Sequence, residues 1–131
     1  MLKKTLTYED FNGVERTEDF YFNFTEAECV EWNLTTEGGL VETIQKIVAA
    51  KEQKELVELF KEFVLKAYGE KSPDGRRFMK TPEIREAFSQ TNSFSIIFME
   101  LAKDDIAAND FIQAVIPKKV DTNKAIPAPA N

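Results

Sequence analysis

The sequence predicts a mainly α fold: an N-terminal β-hairpin packed on a small bundle of about five to six helices, with a flexible C-terminal tail. Three observations carry that expectation. Apolar residues alternate with period two over the first 24 positions and recur at spacings of three and four afterwards. Helix-start and helix-stop residues then punctuate the chain up to Pro117. Beyond it, 118–131 carries three Lys, one Asp, two Pro and almost no large apolar groups, too little to offset the entropy of ordering. Residues 1–117 are therefore expected to form one folded domain, a hairpin over 1–24 and helices over 25–117, with 118–131 as the tail.

The strand pattern is clearest from Arg16 to Phe24, where Phe20, Phe22 and Phe24 fall on one side and Asp19, Tyr21 and Asn23 on the other. Leu2, Leu6 and Tyr8 can supply a partner strand. Between the two lies Asp10-Phe11-Asn12-Gly13, and its Asn-Gly pair predicts a tight type I′ turn. A lone hairpin is marginal in water, so its aromatic face must rest on helices.

Thr25-Glu26-Ala27-Glu28 is a capping box that should open a short helix running to about Trp32. Gly38-Gly39 breaks the chain, and Leu40, Ile44, Ile47 and Val48 form one stripe of a following helix. The next helix, over 52–68, lines Leu56, Leu59, Phe60, Phe63, Val64 and Ala67 along one face and places Gly69 after its C-cap. Ser72-Pro73-Asp74-Gly75 has the residue preferences of a type I turn. Thr81-Pro82-Glu83 reads as N-cap, N1 proline and first-turn acid for a helix burying Ile84 and Phe88. After a polar break at 89–93, helices over 94–103 and 104–116 complete the folded part, and Pro117 stops the last one.

Composition narrows the possible functions. The 131 residues are 43% hydrophobic, with eleven Phe, and 31% charged, a balance that favours a folded soluble domain over a disordered chain. One cysteine, Cys29, allows no internal disulfide and suits a reducing compartment such as cytoplasm; a small buried apolar role is its expected one. The longest apolar runs fall far short of the ~18 residues that argue a membrane span. Net charge is −6, and residues 9–37 hold nine carboxylates against Arg16 alone. Such a surface repels phosphate backbones, so nucleic acid is not an expected partner. Either the charge only keeps the protein soluble or it suits a partner with basic or apolar character.

Catalytic routes are scarce. The chain has no histidine, which removes the commonest general base, the Ser-His and Cys-His pairs and the commonest metal ligand. Gly69-Glu70-Lys71-Ser72 lacks the spacing of a phosphate loop, and Asp104-Asp105 and Glu18-Asp19 are adjacent carboxylates that point apart. No enzymatic activity, cofactor or metal is expected.

One stretch points toward binding. At about 100° per residue, Phe94, Ile97, Phe98 and Leu101 share one arc of their helix while Ile96 and Met99 fall opposite. Either this helix is sandwiched in the core or its second face meets a partner. Arg76, Arg77 and Lys80 form a basic knot after the turn, which is more often a solvated or carboxylate-paired loop than a binding site.

The chain resembles the tail assembly chaperones of long-tailed (siphovirus-type) bacteriophages and prophages of Gram-positive bacteria. Four stretches carry the resemblance: YEDFNGVERTEDFYFNFTEAE at 8–28, TTEGGL at 35–40, YGEKSPDGRRFMK at 68–80 and FMELAKDDIAANDFIQAVIP at 98–117. The resemblance implies a helper that coats the tape measure protein in the host bacterial cytoplasm and keeps it soluble until tail-tube subunits replace it. It further implies absence from the mature virion and a short form with a frameshifted long form, the stretch after Pro117 being where an extension would attach; self-association is also expected, because a protein that coats a long client benefits from lateral neighbours. The alternative is a structural tail or baseplate component retained in the particle. Ile96, Met99, Arg76, Arg77 and Phe78 are the candidate contact residues for the client.

Overall fold

The computed structural model describes residues 1–35 and 54–117, together with Gly39, Glu42 and Gln45. Strand β1 (Leu2–Glu9) pairs antiparallel with β2 (Glu15–Phe22) over their full length, from Leu2 opposite Phe22 to Glu9 opposite Glu15. Helix α1 (Glu26–Thr35) follows, and α2 (Lys54–Ala67) runs straight into β3 (Tyr68–Lys71). A turn leads to β4 (Phe78–Met79), then come α3 (Pro82–Ser89), α4 (Asn92–Lys103) and α5 (Asp105–Val115).

The sheet corrects the expected fold class. It has four antiparallel strands in the order β1-β2-β3-β4, so the fold is α+β and not a mainly α bundle carrying a two-stranded hairpin. Tyr21 and Phe22 of β2 pair with Gly69 and Tyr68, and the Asn23 N–H donates to the Ala67 carbonyl at 2.8 Å. The expected helix thus ends at Ala67 and not at Tyr68, and Gly69 lies inside a strand and not after a C-cap. The physical cause is the second edge of β2, whose backbone groups would otherwise go unpaired. Four and two residues are too few for a period-two pattern to stand out in the sequence.

The first hairpin also closes differently. Asp10 N–H donates to the Val14 carbonyl and Gly13 N–H to the Asp10 carbonyl, both at 2.9 Å, which leaves a three-residue loop and not the two-residue turn expected from Asn-Gly. The Asp10 carboxylate accepts from the N–H groups of Asn12 and Val14, and only Gly13, at φ +79°, needs the left-handed region there.

The helix caps follow the sequence. Thr25 and Glu28 exchange reciprocal bonds of 2.8 and 3.1 Å at the start of α1. Thr81 caps α3 with Pro82 in its first turn, and Asp104 caps α5 through Ile106 and Ala107. The cap of α4 is Thr91, so that helix begins two residues before the expected 94. The helix expected around Leu40 to Val48, the break at Gly38 and the tail over 118–131 lie outside the described residues, as does the Leu56 side chain.

The core lies between the sheet and the helices, and it is aromatic. Phe22 is fully buried and meets Tyr68, Phe88 and Phe111 with ring centroids 5.2–6.0 Å apart. Tyr68 stacks on Phe88 at 3.8 Å, and burial pushes its phenol up to about 12. Phe24, Trp32 and Phe63 form a second aromatic group, which joins the first through Phe63 and Phe111. Each Phe buried in this way contributes about 1.5–3 kcal/mol of transfer free energy. Leu2, Leu6 and Tyr8 of β1 pack against the rim of this cluster, half-buried.

Candidate functional site

Helix α4 has two faces of different fate. Phe94, Ile97 and Leu101 are buried against the sheet and neighbouring helices. On the opposite side Ile96 and Met99 remain 38% and 44% exposed, so the helix is not sandwiched among the described residues. An isoleucine and a methionine at i and i+3 on one turn make a compact apolar step, and Met adapts its shape to irregular partners.

The second candidate group sits on the turn between β3 and β4, a separate element. Ser72 holds that turn: its hydroxyl donates to Asp74 at 2.7 Å and accepts from the Arg77 N–H at 3.0 Å, while Asp74 also accepts from the Arg76 N–H at 3.1 Å. The Ser72 hydroxyl, seconded by the Arg76 N–H, holds the Asp74 carboxyl below its usual range. The arginine backbone is thereby fixed while both arginine side chains are exposed. Phe78 differs from them. Its half-buried ring lies where a side chain on Gly69 would be, since a Cβ there would fall 2.7 Å from Phe78 Cε2.

Lys80 parts company with Arg76 and Arg77 altogether. It turns inward, donates to the Asn23 carbonyl at 2.6 Å and pairs with Glu28 at 2.8 Å, and its ammonium sits 4.7 Å from the Phe24 ring centre. Burial lowers its pKa, partly countered by the Glu28 carboxylate. One lysine thus ties the end of β2, the first turn of α1 and the residue after β4 together. Carboxylate pairing was open for the basic knot, but nothing in the sequence pointed to these partners, because the Asn23 contact spans 57 positions.

Several exposed features escaped the sequence reading. Phe11, at the hairpin tip, is 78% exposed, and Ile106 in the first turn of α5 is also largely exposed. A polar cleft of about 270 Å³ lies among Glu28, Glu31, Trp32, Lys66, Lys80 and Arg85, and Trp32 Nε1 and Arg85 Nε lack hydrogen-bond partners there. A groove of about 320 Å³ runs beneath β1, between it and α4 and α5. Only a period-two reading of β1 as an outer strand could have signalled the last of these.

Cys29 is buried, and desolvation pushes its thiol up to about 11, away from the reactive thiolate. Among the described residues, no cluster of acidic and cysteine side chains is placed to hold a metal ion, and no helix is long and apolar enough to cross a membrane.

The profile of the family described as phage tail assembly chaperone matches residues 1–128, nearly the whole chain. The chain belongs to that family. No curated protein and no solved structure matches it. Membership in a tail assembly chaperone family gives the chain a place in phage tail assembly and suggests a non-enzymatic role. The exposed apolar step on α4 and the fixed arginine turn are then the surfaces of interest.

Proposed function

We propose that this chain binds the tape measure protein of a long-tailed phage and keeps it soluble while the tail is built, leaving before the virion matures. The observation that carries the reading is a pair of large apolar side chains, Ile96 and Met99, left exposed on a helix whose other face is core, in a member of a tail assembly chaperone family. A long helical client with an apolar stripe would lay that stripe on such a step, the helix-in-groove mode of recognition. Arg76 and Arg77 would contact its acidic positions, with Phe78 supporting their turn. The acidic stretch over 9–37 would draw in its basic segments and raise the association rate. In this reading the protein acts in the host bacterial cytoplasm, without cofactor, nucleic acid or membrane.

The test is co-purification with the tape measure protein encoded by the same phage. Ile96→Asp with Met99→Asp is expected to abolish recovery of that client while leaving helix content and thermal unfolding near wild type, because both side chains are exposed. Unchanged recovery would remove α4 from the contact. Mass spectrometry of purified virions addresses the alternative: stoichiometric retention of the protein in particles would make it a structural tail component.

A further inference from the structure

β1 is an edge strand eight residues long, and the backbone groups on its outer side can be assigned from the ladder. The Asp10 N–H to Val14 carbonyl bond continues the β1–β2 register, so even-numbered residues of β1 direct their N–H and C=O groups at β2. Lys3, Thr5, Thr7 and Glu9 therefore direct theirs outward. The Asn92 side-chain amide donating to the Glu9 carbonyl at 2.9 Å agrees with this assignment and occupies that carbonyl, so a strand added here would be held through Lys3, Thr5 and Thr7 and would meet Glu9 by its N–H and side chain. Among the described residues no strand pairs with that side. Such an edge is a template for another strand.

We propose that two copies of this chain pair through β1, antiparallel and in one register, to form a continuous eight-stranded sheet. The register is chosen by charge and by parity. Placing Leu6 opposite its own symmetry mate sets Lys3 opposite Glu9 of the second copy and Thr5 opposite its Thr7, and it brings outward-facing backbone groups only against outward-facing ones. Both Lys3–Glu9 pairs lie on the solvent face and are attractive. Within one copy Glu9 stands opposite Glu15, a like-charge pair that a lysine on the other side would relieve.

A second observation lies on the opposite face of the same edge. The groove beneath β1, lined by Leu2, Lys4, Leu101, Ala107, Phe111 and others, includes inward-facing residues of that strand. In this register Tyr8 of the second copy lies beside Lys4, one of the residues lining that groove, and the two Leu6 side chains meet at the symmetry axis. Main-chain bonds then supply affinity and alternate side chains supply specificity, as in strand addition generally. Such a dimer is independent of which client the protein holds.

Sedimentation velocity of the full-length protein over a concentration series tests this. Wild type is expected to dimerise, and Thr5→Pro, which removes one outward N–H, is expected to be monomeric with an unchanged far-ultraviolet spectrum. Lys3→Glu and Glu9→Lys alone are each expected to weaken the dimer about tenfold. Mixing these two single variants should restore association as a heterodimer, since each then offers the charge the other lacks. Should Thr5→Pro fail to fold, the mixing experiment decides alone. A monomeric wild type, a folded Thr5→Pro variant that still dimerises, or no recovery on mixing would each overturn the proposal.

Discussion

The two hairpins of the single sheet are built on opposite principles. β1 and β2 carry eight register pairs and side-chain links across them: Thr5 to Asp19 at 2.6 Å, Thr7 to Thr17 at 2.9 Å and Tyr8 to Glu18 at 2.8 Å. β3 and β4 carry two register pairs and depend on props outside the ladder: the Ser72 hydroxyl, the fit of Phe78 over Gly69, and Lys80 reaching to β2 and α1. A long hairpin can be specified by its own strands. A short one exists because neighbouring elements leave a place for it.

Mutations can break or sharpen that contrast. The largest effect is expected where both hairpins meet the core: Phe22→Ala empties a fully buried site among three aromatic rings and should destabilise by about 3–5 kcal/mol in urea unfolding. A loss below about 1 kcal/mol would mean that β2 is not the sheet's anchor to the core. Gly69→Ala comes next, at about 1–3 kcal/mol, because its Cβ would meet both the Phe78 ring and, at 3.0 Å, the Met79 carbonyl oxygen. That substitution should raise hydrogen exchange in β3 and β4 while sparing β1. Gly13→Ala is expected to cost about 1 kcal/mol, since φ +79° is strained for alanine but nothing lies within 4 Å of the new methyl. If Gly13→Ala proved the more damaging of the two glycine changes, the long hairpin would depend on its loop more than on its ladder, and the contrast would fail.

A smaller effect separates the arginine turn from its lysine neighbour. Arg76→Ala and Arg77→Ala should each change stability by less than about 0.5 kcal/mol, as exposed side chains do. Lys80→Ala should exceed both, because it removes the donor to the Asn23 carbonyl and the cation paired with Glu28. Equal effects at all three positions would return Lys80 to the basic knot that sequence proximity suggests.

Much of this was legible in order of residues. The strands of the first hairpin, the Thr25–Glu28 box, the Thr81-Pro82 start and the turn at 72–75 rest on contacts between residues close in sequence, where spacing alone sets which groups meet. The two-sided apolar character of α4 was legible as well, because helical geometry assigns Ile96 and Met99 an azimuth opposite Phe94 and Ile97 before any fold is known. That Ile96 and Met99 face outward was a tertiary outcome, since the same pattern also suits a central helix.

By itself, the sequence determined where the helices opened by Thr25 and Thr81 start, which strand face is apolar and that catalytic chemistry has few residues to use. Tertiary structure alone decided that β2 would carry strands on both edges, that Gly69 would lie under a phenyl ring, and that Lys80 would turn inward from its basic neighbours. The reason is distance along the chain: propensity and periodicity act over a few residues, whereas an unpaired strand edge or the half-buried ammonium of Lys80 finds its partner wherever packing brings one.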